Sequence, residues 1–273
     1  MKIVIAPEYA SLRNVINDIV AGRYTAEHVY CDSRNKVERL VLPDGSRVVV
    51  KRYKRPNIIN SVVYGTLRKS KARRAYEYGM QLPQKGISTP QPIAYAEQRH
   101  CGRLTYSWFI SAYDDSTPFS EYYATLRRQA ADGNKDAERQ IPLLRQALID
   151  FVCMLEDKHV IPGDFNHDNI MVQENTLPSS LSASQDNVWD DRWHFALVDI
   201  NRMHINKKPS LHSTMKMFSQ FCRSHQDGID FISVYAPKKG LDYEQCMAVF
   251  VEMCNRLERR RQRKKIAHKV LHS

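Results

Sequence analysis

No run of apolar residues in this chain approaches the roughly 18 to 20 that a membrane-spanning helix needs, so an integral span is not expected. The apolar stretch in Met1-Lys2-Ile3-Val4-Ile5-Ala6-Pro7-Glu8 is too short for a signal peptide and reads as a strand. The six cysteines, Cys31, Cys101, Cys153, Cys222, Cys246 and Cys254, are scattered and form no C-x-x-C pair. That pattern fits reduced thiols in a cytoplasmic protein rather than a disulfide framework or a zinc site. Neither G-x-S-x-G nor H-E-x-x-H occurs, which removes the usual support for a hydrolase. A glycine-rich phosphate loop is missing as well: nothing between Gly22 and Val37 spells G-x-G-x-x-G. Zinc-finger spacing and an aromatic-rich RNA-binding signature are absent, which argues against nucleic acid as a partner. Acidic residues are missing from Lys51 to Arg74, where nine Lys or Arg fall.

What is present is a basic chain of 273 residues with net charge +11 and 42% apolar residues, long enough for two lobes with a real core. The positive charge gathers in two places. The first is Lys51, Arg52, Lys54, Arg55, Arg68, Lys69, Lys71, Arg73 and Arg74; the second runs from Arg259 through Lys269. Such runs attract polyanions, whether nucleic acid, anionic lipid headgroups or phosphorylated glycans.

Residues 37–42 and 47–53 read as strands joined by the turn sequence Pro43-Asp44-Gly45-Ser46. Ala72, Ala75, Tyr76, Gly79 and Met80 recur at helical spacing. Strands follow near 93–98 and 104–111. The polar stretch Asp114-Asp115-Ser116-Thr117-Pro118 is the expected boundary between an N-lobe, 1–113, and a C-lobe, 114–273. Beyond it, helices are expected at 119–131, 137–158, 211–224 and 242–265, with residues 174–193 as a polar insertion between two strands. No internal repeat is visible. Strands first and helices later give an α+β chain.

The chemistry gathers in two segments. Asp164 is followed five residues later by Asn169 and then by the apolar run Ile170-Met171-Val172. About thirty residues on, Phe195-Ala196-Leu197-Val198 ends in Asp199. This is the spacing of a kinase-type phosphotransfer site. Asp164 would take the proton of an incoming hydroxyl, while Asn169 and Asp199 would hold the Mg2+ that neutralises the phosphates of ATP. A calcium loop starting at Asp164 fails, because its sixth and twelfth positions are Asn169 and Asn175 rather than Gly and Glu. Lys51 ends a β-branched strand and fits the lysine that grips the α- and β-phosphates, with Glu77 on the next helix as its orienting partner. In place of the glycine loop, Ser33, Arg34 and Asn35 would contact phosphate.

Taken in chain order, these residues resemble the lipopolysaccharide kinase family, bacterial kinases of Kdo or heptose in the lipid A inner core. The resemblance runs from about Val29 to Arg202. It is carried by Val48 to Lys51, by Lys69 to Glu77 leading into Gly86-Ile87-Ser88-Thr89-Pro90, by Gly163 to Val172, and by Leu197-Val198-Asp199-Ile200-Asn201-Arg202. It implies a bilobal, protein-kinase-like α+β fold with a small antiparallel-sheet N-lobe and a mainly helical C-lobe. It also implies ATP and Mg2+ as cofactors and Asp164 as the catalytic residue. A lipopolysaccharide core glycolipid or another sugar would be the acceptor. The enzyme would be cytoplasmic, at the inner face of the inner membrane, with its basic patches toward anionic lipid. Two positions depart from the pattern. Pro162 stands where such kinases carry histidine, and Ile200-Asn201 stands where protein kinases place Phe-Gly. Other readings are a kinase of another small molecule or of protein, and a pseudokinase or basic scaffold. Intact Lys51, Asp164, Asn169 and Asp199 argue against the last.

Overall fold

The structure is a computed structural model, and it describes residues 1–33, 35–53, 68–175 and 192–272, with the backbone alone for Lys264 and for 267–272. Contacts divide the chain into two compact units. One is Met1–Asp115 with Ala196–Arg202; the other is Ser116–Phe195 with Met203–Ser273. The short segment that carries Asp199 therefore clusters with the N-terminal unit, although the chain reaches it late.

The first unit is built on a six-stranded antiparallel sheet. Its strands are β1 (Lys2–Ile5), β2 (His28–Asp32), β3 (Asn35–Val41), β4 (Arg47–Tyr53), β5 (Pro92–His100) and β6 (Arg103–Ala112), in the order β1-β5-β6-β4-β3-β2. Helix α1 (Arg13–Val20) and helix α2 (Lys71–Gln81) belong to the same unit. Side chains alternate between faces along a strand, so sequence parity decides which helix each one meets. Val48, Val50, Ala94, Ala96, Trp108 and Ile110 join Ile16, Ile19 and Val20 of α1 in one buried cluster. Tyr53 and Tyr95 join Ala72 and Tyr76 of α2 in another, with Phe109 packed against it. Each large side chain buried in this way contributes about 1.5 to 3 kcal/mol. Lys51, directly opposite Phe109 in the β4–β6 register, lies on the α2 side of the sheet.

The β3–β4 turn closes as its sequence predicts. Gly45 takes φ +82°, Asp44 accepts from the Ser46 amide at 3.0 Å, and Leu42 N–H bonds the Ser46 carbonyl at 2.8 Å. Helix α2 starts at Ser70, whose buried hydroxyl accepts from the Arg73 amide at 3.0 Å. A Cβ added at Gly79 would run into Pro92 and crowd Ile200, so only glycine lets α2 approach that closely.

The second unit is mainly helical: α3 (Phe119–Ala131), α4 (Lys135–Asp157), α5 (Leu211–Phe221), α6 (His225–Lys238) and α7 (Tyr243–His272). Short strands accompany them: β7 (Thr117–Pro118), β8 (Val160–Ile161), β9 (Ile170–Glu174), β10 (Trp193–Leu197) and β11 (His204–Ile205). Its core takes Leu144, Leu148, Val152 and Leu155 from α4, Phe218 from α5, Ile232 and Tyr235 from α6, and Phe250 from α7. Glu156 is buried at the meeting of three helices. It accepts hydrogen bonds from Thr214 and, at 2.9 Å, from the Tyr235 hydroxyl, and it pairs with Lys239 at 3.3 Å. Gly228 lets α6 and α7 meet closely, since a Cβ there would overlap the Phe250 ring.

Differences from the sequence reading are local. Helices α1 and α6 were not expected. α1 is only 8 residues long, with Ile16, Ile19 and Val20 as its buried face, and α6 begins on a Ser224 capping box rather than a hydrophobic run. The helix expected to reach 224 stops at Phe221, and the last helix continues to His272. Strands β9 and β10 flank the polar insertion, of which residues 176–191 lie outside the described residues. No helix among the described residues is long and apolar enough to cross a membrane.

Candidate active site

In the first unit, Lys51 and Asp199 meet although 148 positions separate them: Lys51 Nζ is 2.5 Å from Asp199 Oδ1. The lysine is positioned by β4. The aspartate is positioned by the Gly86-Ile87-Ser88-Thr89-Pro90 element, which holds the strand in front of it. Leu197 N–H bonds the Ser88 carbonyl at 2.9 Å, and the Thr89 hydroxyl donates to the Leu197 carbonyl at 2.7 Å. Asp199 itself takes φ +52°, a left-handed conformation that aspartate tolerates better than most residues. Its side chain is 31% exposed against 17% for Lys51, so the carboxylate faces solvent on one side while the lysine is largely covered.

Glu77 does not pair with Lys51. It binds Lys69 at 2.7 Å and its helical neighbour Arg73 at 2.8 Å. Burial pushes its carboxyl upward, but the bonds from those two cations outweigh burial and hold it below its ordinary value. The physical reason is proximity in sequence: two cations at α2's start reach the carboxylate first. Ser33 and Asn35 flank the tip of the β2–β3 hairpin, where the Ser33 hydroxyl lies 3.2 Å from Cys31 Sγ. Arg34 lies outside the described residues, as do Lys54 and Arg55 of the first basic run.

In the second unit, Asp164 and Asn169 come together through the local chain. The Asn169 amide donates to the Asp164 backbone carbonyl at 2.9 Å, and its Oδ1 is an acceptor of the type a hard cation takes. Asn166 Nδ2 reaches Asp164 Oδ1 at 3.2 Å, and its Oδ1 caps the turn His167–Asn169 by accepting from the Asp168 amide at 3.0 Å. Gln220 of α5 pins the same segment from outside, accepting from the Phe165 amide at 3.1 Å and donating to the Gly163 carbonyl at 3.3 Å. Below it His167 is buried among aromatic rings, 4.1 Å from Phe221 and 5.0 Å from Phe119 between centroids. Burial, helped by the positive charge of Arg223, drives its pKa down to about 4.

The sequence reading missed Gln220, Ser88, Thr89, Tyr53 and Asn201 as supports of these acids. Ser88 and Thr89 carried a signal within the Gly86-Ile87-Ser88-Thr89-Pro90 element, and Asn201 did as a departure from Phe-Gly; Gln220 and Tyr53 carried none. Among the described residues no cluster of three or more His, Cys, Asp or Glu could cage a metal. Mg2+ is usually held by one or two protein carboxylates together with substrate phosphates. Asp199 in the first unit offers a carboxylate oxygen and Asn169 in the second an amide oxygen, each a donor type that Mg2+ accepts.

The fold is the α+β, protein-kinase-like fold that the resemblance to the lipopolysaccharide core kinases implies. The chain is similar to a solved structure of WaaP in complex with acyl carrier protein, with a TM-score of 0.60 and 14% identity over 96% of this chain and 99% of that one. A solved complex of the Rio2 kinase from Chaetomium thermophilum with ADP, Mg2+ and phosphoaspartate overlaps less well, with a TM-score of 0.43 and 15% identity over 88% of this chain and 67% of that one. No family model and no curated protein matches the chain.

Proposed function

We propose that this chain is an ATP- and Mg2+-dependent kinase that phosphorylates a sugar hydroxyl of the lipopolysaccharide inner core, on Kdo or heptose. The observation that carries the kinase reading is the meeting of Lys51 and Asp199 at 2.5 Å. Two residues chosen for phosphate and metal work from separate motifs share one carboxylate oxygen. The similarity in fold to WaaP supports the choice of acceptor.

The roles follow from charge and donor type. Lys51 binds the α- and β-phosphates, exchanging its carboxylate partner for phosphate oxygens of the same charge. Asp164 accepts the proton as the acceptor oxygen bonds the γ-phosphorus and the bond to the ADP oxygen breaks. Asn166 steadies the Asp164 carboxylate. Asn169 and Asp199 would hold Mg2+, which when bound supplies charge neutralisation at the phosphates. Ser33, Arg34 and Asn35 contact phosphate in place of a glycine loop. Glu77 serves at one remove, tying Lys69 and Arg73 to α2 rather than orienting Lys51. Residues 1–113 would serve as the nucleotide-binding N-lobe and 114–273 as the catalytic C-lobe.

The net charge of +11 and the exposed arginines of α7, Arg259, Arg260, Arg261 and Arg263, support a peripheral enzyme at the inner face of the inner membrane. Sedimentation with anionic liposomes at low salt tests that placement, and a protein that stays in the supernatant removes it. The complex of WaaP with acyl carrier protein makes that protein a partner to test by co-purification.

The deciding experiment is phosphate transfer from labelled ATP, with Mg2+, to purified lipid A–core glycolipid, comparing wild type with Asp164→Asn. Label on the glycolipid with wild type alone supports both the activity and the role of Asp164. ATP binding without labelling of glycolipid keeps the kinase and moves the acceptor to another small molecule or a protein. No ATP binding favours the scaffold reading.

A further inference from the structure

Asp199 has a partner that the kinase reading leaves unused. Asn201 stands in the turn Ile200–Arg202, where protein kinases place glycine, and is only 3% exposed. Its side-chain amide donates to Asp199 Oδ1, the same oxygen that Lys51 binds. It also acts on the side chain of Tyr53, holding the hydroxyl pKa below what burial alone would give. Tyr53 lies two residues beyond Lys51 on the same face of β4, is 3% exposed, and has the Lys51 ammonium 5.6 Å from its ring centre. Burial first, and the charge of Asp199 second, push its hydroxyl pKa up, so it stays protonated and can act only as a neutral support.

One oxygen of the carboxylate is thus gripped by two donors, and Tyr53 influences both: the Lys51 ammonium lies over its ring, and Asn201 acts on its hydroxyl. The other oxygen, Oδ2, makes no hydrogen bond or ion pair among the described residues, on a side chain that remains partly exposed. The grip has a cost that plain structure does not explain. Asn201 Oδ1 is buried with no hydrogen-bond partner, an arrangement that folded proteins mostly avoid. Flipping the amide would not relieve it, because Oδ1 would then face the carboxylate. An aspartate here would repel Asp199, and an apolar residue would leave Asp199 Oδ1 to Lys51 alone. The amide therefore makes sense as a neutral donor aimed at a carboxylate whose other oxygen must stay free.

We propose that Asn201, backed by Tyr53, is a positioning residue that locks Asp199 by Oδ1 and presents Oδ2 to a divalent cation. The identity of that cation, Mg2+ carried with ATP, rests on the kinase reading above. Partners that orient a metal-binding carboxylate typically account for 10- to 100-fold in metal affinity.

Two measurements test the assignment. In the first, ATP binding is followed by calorimetry at graded Mg2+ and again in EDTA, for wild type, Asn201→Ala and Tyr53→Phe, each shown folded by its thermal transition. Asn201→Ala should raise the Mg2+ needed for half-maximal binding by about 10- to 100-fold while leaving binding in EDTA unchanged. Tyr53→Phe should shift it in the same direction but less. An Asn201→Ala protein that responds to Mg2+ as wild type does overturns the positioning role and leaves the kinase standing. A wild type that binds no nucleotide overturns the kinase reading and the cation with it. The second measurement needs no nucleotide. The side-chain amide protons of Asn201 should be protected from exchange in a nitrogen-resolved NMR spectrum and should shift in Tyr53→Phe. Freely exchanging amide protons mean that the clamp does not exist, whatever the activity.

Discussion

The two acids at the centre of the proposed chemistry are held in opposite ways. Asp164 has two partners in its own segment, Asn166 and Asn169, both within five residues, and Gln220 ties down the backbone on either side of it at Gly163 and Phe165. Asp199 is organised by residues far away in the chain. Lys51 and Tyr53 come from a strand nearly 150 positions earlier, and Ser88 and Thr89 from a loop more than 100 earlier. A locally organised acid needs few tertiary contacts to take its geometry, because short loops close at little entropic cost. One held by distant partners keeps its geometry only while the whole sheet is intact. The contrast teaches where each acid is vulnerable: Asp164 to changes within its loop, Asp199 to changes anywhere in the first unit.

The comparison can be broken most forcefully at Asp164 itself. Asp164→Asn keeps the shape and the Asn166 contact but removes the proton acceptor. It is expected to lower turnover by about 10²- to 10⁴-fold with little change in ATP affinity or thermal midpoint. Loss of folding instead would mean that the loop depends on that charge for its structure.

Beneath the Asp164 loop, His167 offers a pH test of the second unit. Its folded pKa, about 4, lies below the ordinary 6.5, so an unfolded chain binds the proton first as pH falls. The stability that its neutral, buried form supports is fully present above about pH 6.5 and is lost progressively toward pH 4. The groups facing it are Arg223, Asp168 and Asp227, and the two acids only partly oppose burial and the arginine. The loss amounts to about 3 kcal/mol at most. Urea unfolding at pH 7 and 4.5 should show that slope in wild type and a flatter one in His167→Phe. Equal slopes would remove His167 as its source.

In the first unit, Gly79→Ala should strike Asp199 from a distance. The new methyl group meets Pro92 and Ile200, next to Asp199, and should destabilise the protein by about 1 to 3 kcal/mol. If the comparison holds, the same substitution also weakens Mg2+-dependent ATP binding, while a substitution of equal cost in α7 does not. The smallest effect is expected at Glu77. Its pairs with Lys69 and Arg73 are partly exposed, so Glu77→Gln should cost under about 1 kcal/mol in denaturant melts. It should leave ATP affinity nearly unchanged. A large loss of ATP affinity would restore Glu77 as the partner of Lys51.

Much of the fold was legible in the sequence because local rules dominate there. The Pro43-Asp44-Gly45-Ser46 turn, the stripe from Ala72 to Met80 and the β-branched run ending at Lys51 all appear as elements of the expected kind. Of the candidate site, Asp164 with Asn169 was legible because their spacing is itself the geometry. Lys51 and Asp199 were legible as separate motifs. The assignment of Glu77 to Lys51 failed because sequence spacing could not show that Lys69 and Arg73 compete for the same carboxylate. Gln220 and Tyr53 were invisible because each supports the site through a contact with no local pattern, and ordinary polar or aromatic residues carry no mark of such a role.

The linear chain decided the residue types, the strand parity that puts Lys51 and Tyr53 on one face, and the turn that sets Asn169 behind Asp164. These follow from covalent geometry and from the two-residue and 3.6-residue periods of strand and helix. Tertiary structure decided which cation meets which carboxylate. Lys51 goes to Asp199 and Glu77 to Lys69 and Arg73, because charge pairing is settled by distance after folding, and distance in space is what a sequence does not carry.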